Sequence, residues 1–308
     1  MTNVICLANQ KGGVAKTTDS LNIAYALANY YNKKVLLIDF DSQASATLDL
    51  GVDATSDETR SIDELLDPYV ENITQRPSWD EIQNYIYTPT YVTRVRDENN
   101  KMKWVDKEIP YGFDLIPSSI NLSITELKMG IYGSASDHMI YNGYLHDIIA
   151  TICENVDYDF VVIDTPPALG ALSMNGIRAA TAGVCLVTNL DIMSFRGLSS
   201  LIAAVNSVQR GFDDGEEIHH GIIGIILGLY SERRTIDRAL SDYLQEFYPV
   251  RAFETRIPES SDVKKANASN LLYAQVNKKA AQAFDQLAGE IIYFTEHGHL
   301  REPGQKEN

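Results

Sequence analysis

The chain has 308 residues, 44% of them hydrophobic and 22% charged, and its 26 Lys and Arg against 42 Asp and Glu give a net charge of −16. That composition excludes a fibrous or disordered chain, and the length suffices to bury a sizeable core. An acidic surplus of this size argues against a protein coated for nucleic acid, while it leaves room for a local basic face.

The opening MTNVICLANQ has no basic run followed by an apolar stretch, and the most apolar later run, near residue 221, is far too short to cross a bilayer. No membrane association is expected. Cys6, Cys153 and Cys185 are widely separated, with no CxxC pair and no histidine at metal spacing. They read as small buried hydrophobes in a reducing cytoplasm rather than as metal ligands.

Residues 4–8, VICLA, read as a first strand, and a continuous apolar run of this kind implies burial on both faces. Lys16 to Tyr31 then carries Leu21, Ala24, Leu27, Ala28 and Tyr31 at helical spacing. Between them runs Lys11-Gly12-Gly13-Val14-Ala15-Lys16-Thr17-Thr18. Strand, glycine-containing loop, Lys-Thr pair and helix N-terminus is the order a phosphate cradle requires. The glycines let backbone N–H groups converge on the anion, and the helix dipole adds positive potential. Lys16 is placed for the β- and γ-phosphates, Thr17 for a nucleotide-bound Mg²⁺, and Thr18 for a phosphate closer to the sugar. The strict pattern GxxxxGK[ST] is not met, because Gln10 and Ala15 stand where it has glycine.

The second strand, VLLID at 35–39, runs into Asp39-Phe40-Asp41-Ser42-Gln43. A carboxylate at the carboxyl end of a parallel strand lies on the ligand edge of the sheet, so Asp41 is assigned to the attacking water and the Mg²⁺ shell. Asp39, two residues farther back, is given a supporting role. The stretch from about 52 to 110 is polar and acidic and reads as an insertion, either a surface decoration or a partner-binding element. Within it, 91–96 and 102–105 alternate around the polar Asp97-Glu-Asn-Asn100, a hairpin pattern.

Farther on, FVVID at 160–164, VCLVT at 184–188 and IIGIIL at 222–227 are again continuous apolar strands. Asp164 ends one of them, where an unpaired carboxylate is costly, and pairing with Mg²⁺-bound water or Thr17 supplies a reason for it. The pattern predicts a doubly wound α/β fold, with a mainly parallel sheet flanked by helices, as one domain over 1–295. Residues 296–308 are expected to form a polar, disordered tail. Residues 231–280 hold nine basic and seven acidic side chains, so this segment is positive while the remainder carries the whole acidic excess. A localised phosphate-binding face has that character.

KGGVAKTT at 11–18 resembles the deviant phosphate loop KGGxxK[ST] of the ParA/MinD family of P-loop ATPases, with Ala15 in place of the commoner glycine. Asp39-Phe-Asp-Ser-Gln43 is similar to the family's D-x-D-P-Q switch, with Ser42 for proline, and Asp164-Thr-Pro-Pro167 to its second switch. Leu115-Ile-Pro-Ser118 with Glu126, the 190–198 loop, the 230–235 segment and Thr255-Arg-Ile-Pro258-Glu259 continue the likeness over most of the chain outside 52–110 and the tail. No helix-turn-helix segment precedes the phosphate loop, no basic amphipathic helix occupies 280–308, and no cluster cysteines or terminal tyrosine cluster is present. The resemblance is therefore to the short ParA branch.

That resemblance implies an Mg²⁺-dependent ATPase whose ATP-bound form is a sandwich homodimer, with Lys11 reaching the partner's phosphates and Pro258 near the base. It implies nonspecific, nucleoid-associated DNA binding, with Arg234 the leading contact and Lys264 and Lys265 further candidates. It also implies a ParB-like centromere-binding partner that stimulates slow hydrolysis. Two other readings stay open at this stage, an ATP-dependent positioning scaffold for protein cargo and a nucleotide-binding regulator with little turnover.

Overall fold

The computed structural model describes residues 1–56, 58–96, 104–135, 143–210, 221–246 and 250–301. In chain order β1 (Asn3–Ala8) leads to α1 (Lys16–Tyr30), β2 (Val35–Asp39), α2 (Ser45–Asp49), α3 (Ile62–Glu71) and α4 (Trp79–Ile82). Next come β3 (Thr90–Arg96), β4 (Trp104–Pro110), β5 (Asp114–Ile116), α5 (Leu122–Ala135), α6 (Tyr144–Asn155), β6 (Phe160–Asp164) and α7 (Ala171–Ala179). The last part holds β7 (Gly183–Asn189), α8 (Ile192–Arg210), β8 (Ile222–Tyr230), α9 (Thr235–Glu246), β9 (Ala252–Pro258), α10 (Asp262–Asn267), α11 (Tyr273–Val276) and α12 (Lys278–His297).

Seven strands form one sheet in the order β5-β2-β6-β1-β7-β8-β9, and every neighbouring pair is parallel. The chain starts at the centre and builds outward in both directions, so helices must cross both faces. Alternation along each strand divides the apolar side chains between two layers. Val4, Cys6 and Ala8 join the layer under α3, α6 and α7, while Ile5 and Leu7 join the layer under α1 and α12. Burying each such aliphatic side chain contributes roughly 1.5–3 kcal/mol, which is why the strands read as continuous apolar runs. All strand carboxyl ends share one edge, and the register places Asp39 beside Asp164 and Asp164 beside Leu7.

The hairpin expected inside 52–110 is present but longer than its pattern suggested. Its strands pair from Thr90 with Pro110 to Arg96 with Trp104, so the second strand runs on past 105 to Pro110, while 102–103 lie outside the described residues. The turn at 97–100 lies outside the described residues. The segment as a whole is more than a decoration, because α3 sends Ile62, Leu65, Leu66, Tyr69 and Val70 into the core. Ser61 and Glu64 cap that helix reciprocally. Tyr87 exchanges two backbone hydrogen bonds with Leu115, at 2.8 and 2.7 Å, and so covers the edge of β5.

The polar end also differs from its expectation over its described part. Helix α12 continues to His297, Gly298 closes it at φ 75, and Leu300 is buried against the sheet layer that contains Phe253. One apolar residue in a polar run suffices to anchor that turn. Among the described residues no helix is long and apolar enough to cross a membrane.

Candidate active site

The edge where β1, β2 and β6 end gathers the residues marked by the sequence. After β1 the chain turns through Gly13 at φ 77 and Ala15 at φ 73, both left-handed, and enters α1 at Lys16. Glycine adopts that conformation freely, whereas the Ala15 methyl costs about 1 kcal/mol there. Gly12 and Gly13 are exposed, and a Cβ on either would meet nothing within 4 Å, so the loop stands open. Val14 is buried, and a Cβ at Gly228 on β8 would come within 3.1 Å of its carbonyl oxygen. The phosphate loop therefore rests on β8 at a position only glycine fills without displacing it.

Asp164 is fully buried at the end of β6 and is the hub of the site. Its Oδ1 accepts from Lys16 Nζ at 2.6 Å and from Ser20 Oγ at 2.9 Å, and its Oδ2 accepts from Thr17 Oγ1 at 2.7 Å. The expected Thr17 to Asp164 link is thus present, and Ser20 joins it one helical turn later, a residue the loop motif does not include. Thr165 Oγ1 donates to the Leu7 carbonyl at 2.8 Å, tying β6 to β1 beyond the ladder. Thr18 is half-buried, and its carbonyl accepts from Asn22 Nδ2 at 2.7 Å.

Asp39 is also fully buried, and its carboxyl is pushed up to about 7, first by burial and then by the Asp164 charge, against the opposing bonds from Thr47 and Asp41. Asp41 is nearly as buried, and burial raises its carboxyl as well, while the Gln43 amide and Lys16 act the other way. Asp19, a helical turn after Lys16, is fully buried with neither carboxylate oxygen hydrogen-bonded. Three further buried carboxyl groups, at 19, 39 and 41, thus feel the charge of Asp164, which is itself paired with buried Lys16.

Low-dielectric crowding of this kind is relieved by a divalent cation, and the side-chain oxygens of Thr17, Asp41 and Asp164 are of the kind Mg²⁺ prefers. No cluster of three His, Cys, Asp or Glu able to hold a metal alone occurs among the described residues. Mg²⁺ here therefore fits as a companion of a phosphate ligand, with waters filling its shell.

The other sequence candidates fall at varied distances from this hub. Lys11 Nζ bonds Asp191 Oδ2 at 2.6 Å, just beyond β7, on a half-exposed surface. Pro258 ends β9 opposite Tyr230, on the same edge of the sheet, and its carbonyl accepts from Tyr273 Oη at 3.0 Å. Arg234 is held by three partners. It donates to the Leu229 carbonyl at 2.6 Å and pairs with Asp237 at 2.9 Å and Glu259 at 3.0 Å. Lys265 pairs with Asp262 at 2.7 Å, and Lys264 is exposed. Glu126 on α5 accepts from the Leu172 amide at 3.4 Å, which links the helix after Ser118 to the segment after Pro167.

Comparison with known proteins agrees with this geometry. A family model described as an AAA domain matches residues 2–216. The chain is 28% identical over 292 residues to the chromosome partitioning protein ParA of Caulobacter vibrioides, covering 94% of this chain and 93% of that protein. It is 26% identical over 293 residues to the sporulation initiation inhibitor protein Soj of Bacillus subtilis, covering 94% and 98%. Among solved structures, cobyrinic acid a,c-diamide synthase of Mycobacterium smegmatis, with bound ATP analogue and magnesium, is similar with a TM-score of 0.71. It is 25% identical, covering 99% of this chain and 100% of the other.

Proposed function

The chain belongs to the AAA-domain family and, within it, to the ParA/MinD group of P-loop ATPases, and on that footing we propose that it is the ATPase of a DNA partition system. ATP binding drives formation of a sandwich dimer that binds DNA without sequence preference, and hydrolysis resets it. The observation that carries the reading is Asp164, fully buried and held by Lys16, Thr17 and Ser20 beneath an open glycine loop. A buried carboxylate that orders the lysine and the hydroxyl of the loop together holds both ready for a nucleotide there.

In this reading Lys16 and the N–H groups of residues 12–18 hold the β- and γ-phosphates, and the N-terminus of α1 adds its dipole. Thr17, with Asp41 and Asp164 acting through water, would hold Mg²⁺. The cation supplies charge neutralisation on the phosphates. Asp41 orients the attacking water, and positioning rather than strong basicity is what phosphoryl transfer asks of it. Lys11 leaves Asp191 to reach the phosphates of a second copy, and Pro258 borders the base. The cargo is a replicon, plasmid or chromosome, recognised through a ParB-like centromere-binding protein that stimulates turnover.

Retention on random-sequence duplex DNA tests the proposal, using wild type and Lys16→Gln with ATP, ADP or no nucleotide over a salt series. Retention with ATP alone, falling with salt and lost in the variant, is expected. If ATP-dependent dimers form but no state is retained, DNA partition is refuted in favour of a DNA-independent scaffold for protein cargo. The Arg234 pairs with Asp237 and Glu259 favour that second reading, since they occupy the leading candidate for a phosphate contact.

A further inference from the structure

Asp41 sits in a segment whose own backbone does little to fix its shape. Ser42 carries no ring to restrict φ, and Ala44 occupies the left-handed region at φ 50, which a non-glycine residue holds only where its surroundings impose it. The surroundings here form a closed ring of hydrogen bonds. The Asp39 carboxylate accepts from the Thr47 amide at 2.8 Å, from Thr47 Oγ1 at 2.7 Å and from the Asp41 amide at 3.3 Å. Thr47 Oγ1 in turn accepts from the Ser118 amide at 3.0 Å, and Ser118 Oγ donates to the Asp41 carbonyl at 2.8 Å. Thr47, Ser118 and Asp39 are all fully buried.

Ser118 reaches Asp41 because β2 and β5 are parallel neighbours, in register from Leu36 with Asp114 to Ile38 with Ile116, so their exits emerge side by side. The ring fixes the backbone of Asp41 from both sides. Only Oδ1 of its own carboxylate is engaged within the loop, accepting from the Gln43 amide at 3.0 Å, and Oδ2 takes no part in the ring.

We propose that Ser118 and Thr47 are positioning residues for ATP hydrolysis, clamping the Asp41 segment through Asp39 so that the Asp41 carboxylate is presented to the attacking water. This rests on the reading of Asp41 given above. In the reaction the water oxygen bonds to the γ-phosphorus as the bond from that phosphorus to the bridging oxygen breaks. The bonding pair leaves with ADP, and the water proton passes by way of Asp41 to phosphate or solvent. Neither Ser118 nor Thr47 meets the reacting atoms. They set where Asp41 stands, and an ångström of misplacement in such a group costs about 100-fold in rate.

Single-turnover hydrolysis at saturating ATP, with ATP affinity measured separately, tests the clamp in Ser118→Ala, Asp41→Ala and the double variant. Ser118→Ala is expected to slow hydrolysis about 10- to 100-fold while ATP affinity moves less than about threefold. In the Asp41→Ala background Ser118→Ala changes the rate less than about twofold, because its effect runs through Asp41. Thr47→Val behaves like Ser118→Ala, and Thr47→Ser recovers most of the loss because the hydroxyl remains. A wild-type rate in Ser118→Ala beside a slow Asp41→Ala overturns the clamp alone, as does a parallel fall in rate and ATP affinity. A wild-type rate in Asp41→Ala overturns both the clamp and the role of Asp41 on which it rests.

Discussion

Replacing Asp19 by alanine is expected to stabilise the nucleotide-free protein, and to do so more at pH 8 than at pH 5. The carboxyl group is fully buried in α1, neither oxygen has a hydrogen-bond partner, and burial together with the Asp164 charge pushes its pKa well above the ordinary value, against the lowering effect of Lys16. A buried polar group left unsatisfied costs about 1–3 kcal/mol. Alanine removes both oxygens and is the better helix former by several tenths of a kcal/mol, while the space vacated is small. The expected gain at pH 8 is therefore about 1–3 kcal/mol, which for a chain of this size raises the melting temperature by roughly 2–5 °C.

The pH dependence follows from the direction of the shift. A carboxyl whose folded pKa lies above its unfolded value of about 3.9 holds its proton more tightly in the native state. Its contribution is complete below that value and is lost as pH rises through the folded pKa. Asp39, pushed up to about 7, acts in the same sense, so the contribution of these two groups falls away from about pH 4 to past neutrality. Removing Asp19 cancels its share of that loss. Urea unfolding in magnesium-free buffer at both pH values measures it. A variant less stable than wild type at pH 8, or an equal gain at both pH values, refutes the reasoning.

Ala15→Gly relieves the left-handed φ of 73 at the mouth of the phosphate loop. A gain of about 1 kcal/mol is expected in the same urea titration, less what glycine adds to the freedom of the unfolded chain. For the thiols, Cys6 and Cys185 are fully buried, and burial pushes the Cys6 thiol up to about 12 and the Cys185 thiol still higher. A disulfide reagent at pH 8 should therefore modify only half-buried Cys153 in the native protein, slowly, and all three after denaturation, as intact-mass spectrometry would record.

What was legible in the sequence was what is local in the chain. The strands at 4–8, 35–39 and 160–164 appear with boundaries within a residue, because burial on both faces demands an unbroken apolar run. The phosphate loop and the carboxylates at strand ends follow from the same logic, since parallel strands must discharge their carboxyl ends on one edge. Helix α3 was hidden although its apolar positions 62, 65, 66, 69 and 70 keep helical spacing, because Asp63, Glu64 and Asp67 give the stretch an acidic character and Pro68 interrupts it. Ser20 could not be found at all, and Ser118 was marked only as the end of the Leu115-Ile-Pro-Ser118 likeness, with nothing to say what it bonds. Ser20 meets a carboxylate 144 residues away and Ser118 a carbonyl 77 residues away, and hydroxyls at unremarkable positions carry no sign of such partners.

The basic segment shows what composition leaves out, the pairing of the charges it counts. Residues 231–280 sum to a small positive charge, yet Arg234 is bound to Asp237 and Glu259, Lys265 to Asp262, and Arg256 approaches Asp242 at 3.9 Å. Charges paired across a few ångströms present a dipole, not a cation, to a distant phosphate. Arg233, Arg238, Lys264, Lys278 and Lys279 are further exposed cations of the segment. Each phosphate neutralised on duplex DNA steepens the logarithmic dependence of affinity on salt by about 0.9, so the slope counts the contacts made. If Arg234 leaves its two carboxylates for DNA, neutralising Glu259 as Glu259→Gln strengthens retention, because one competitor for the guanidinium is gone. If Arg234 stays where it is, the same change removes one repelling charge from the rim, and the slope keeps its wild-type value.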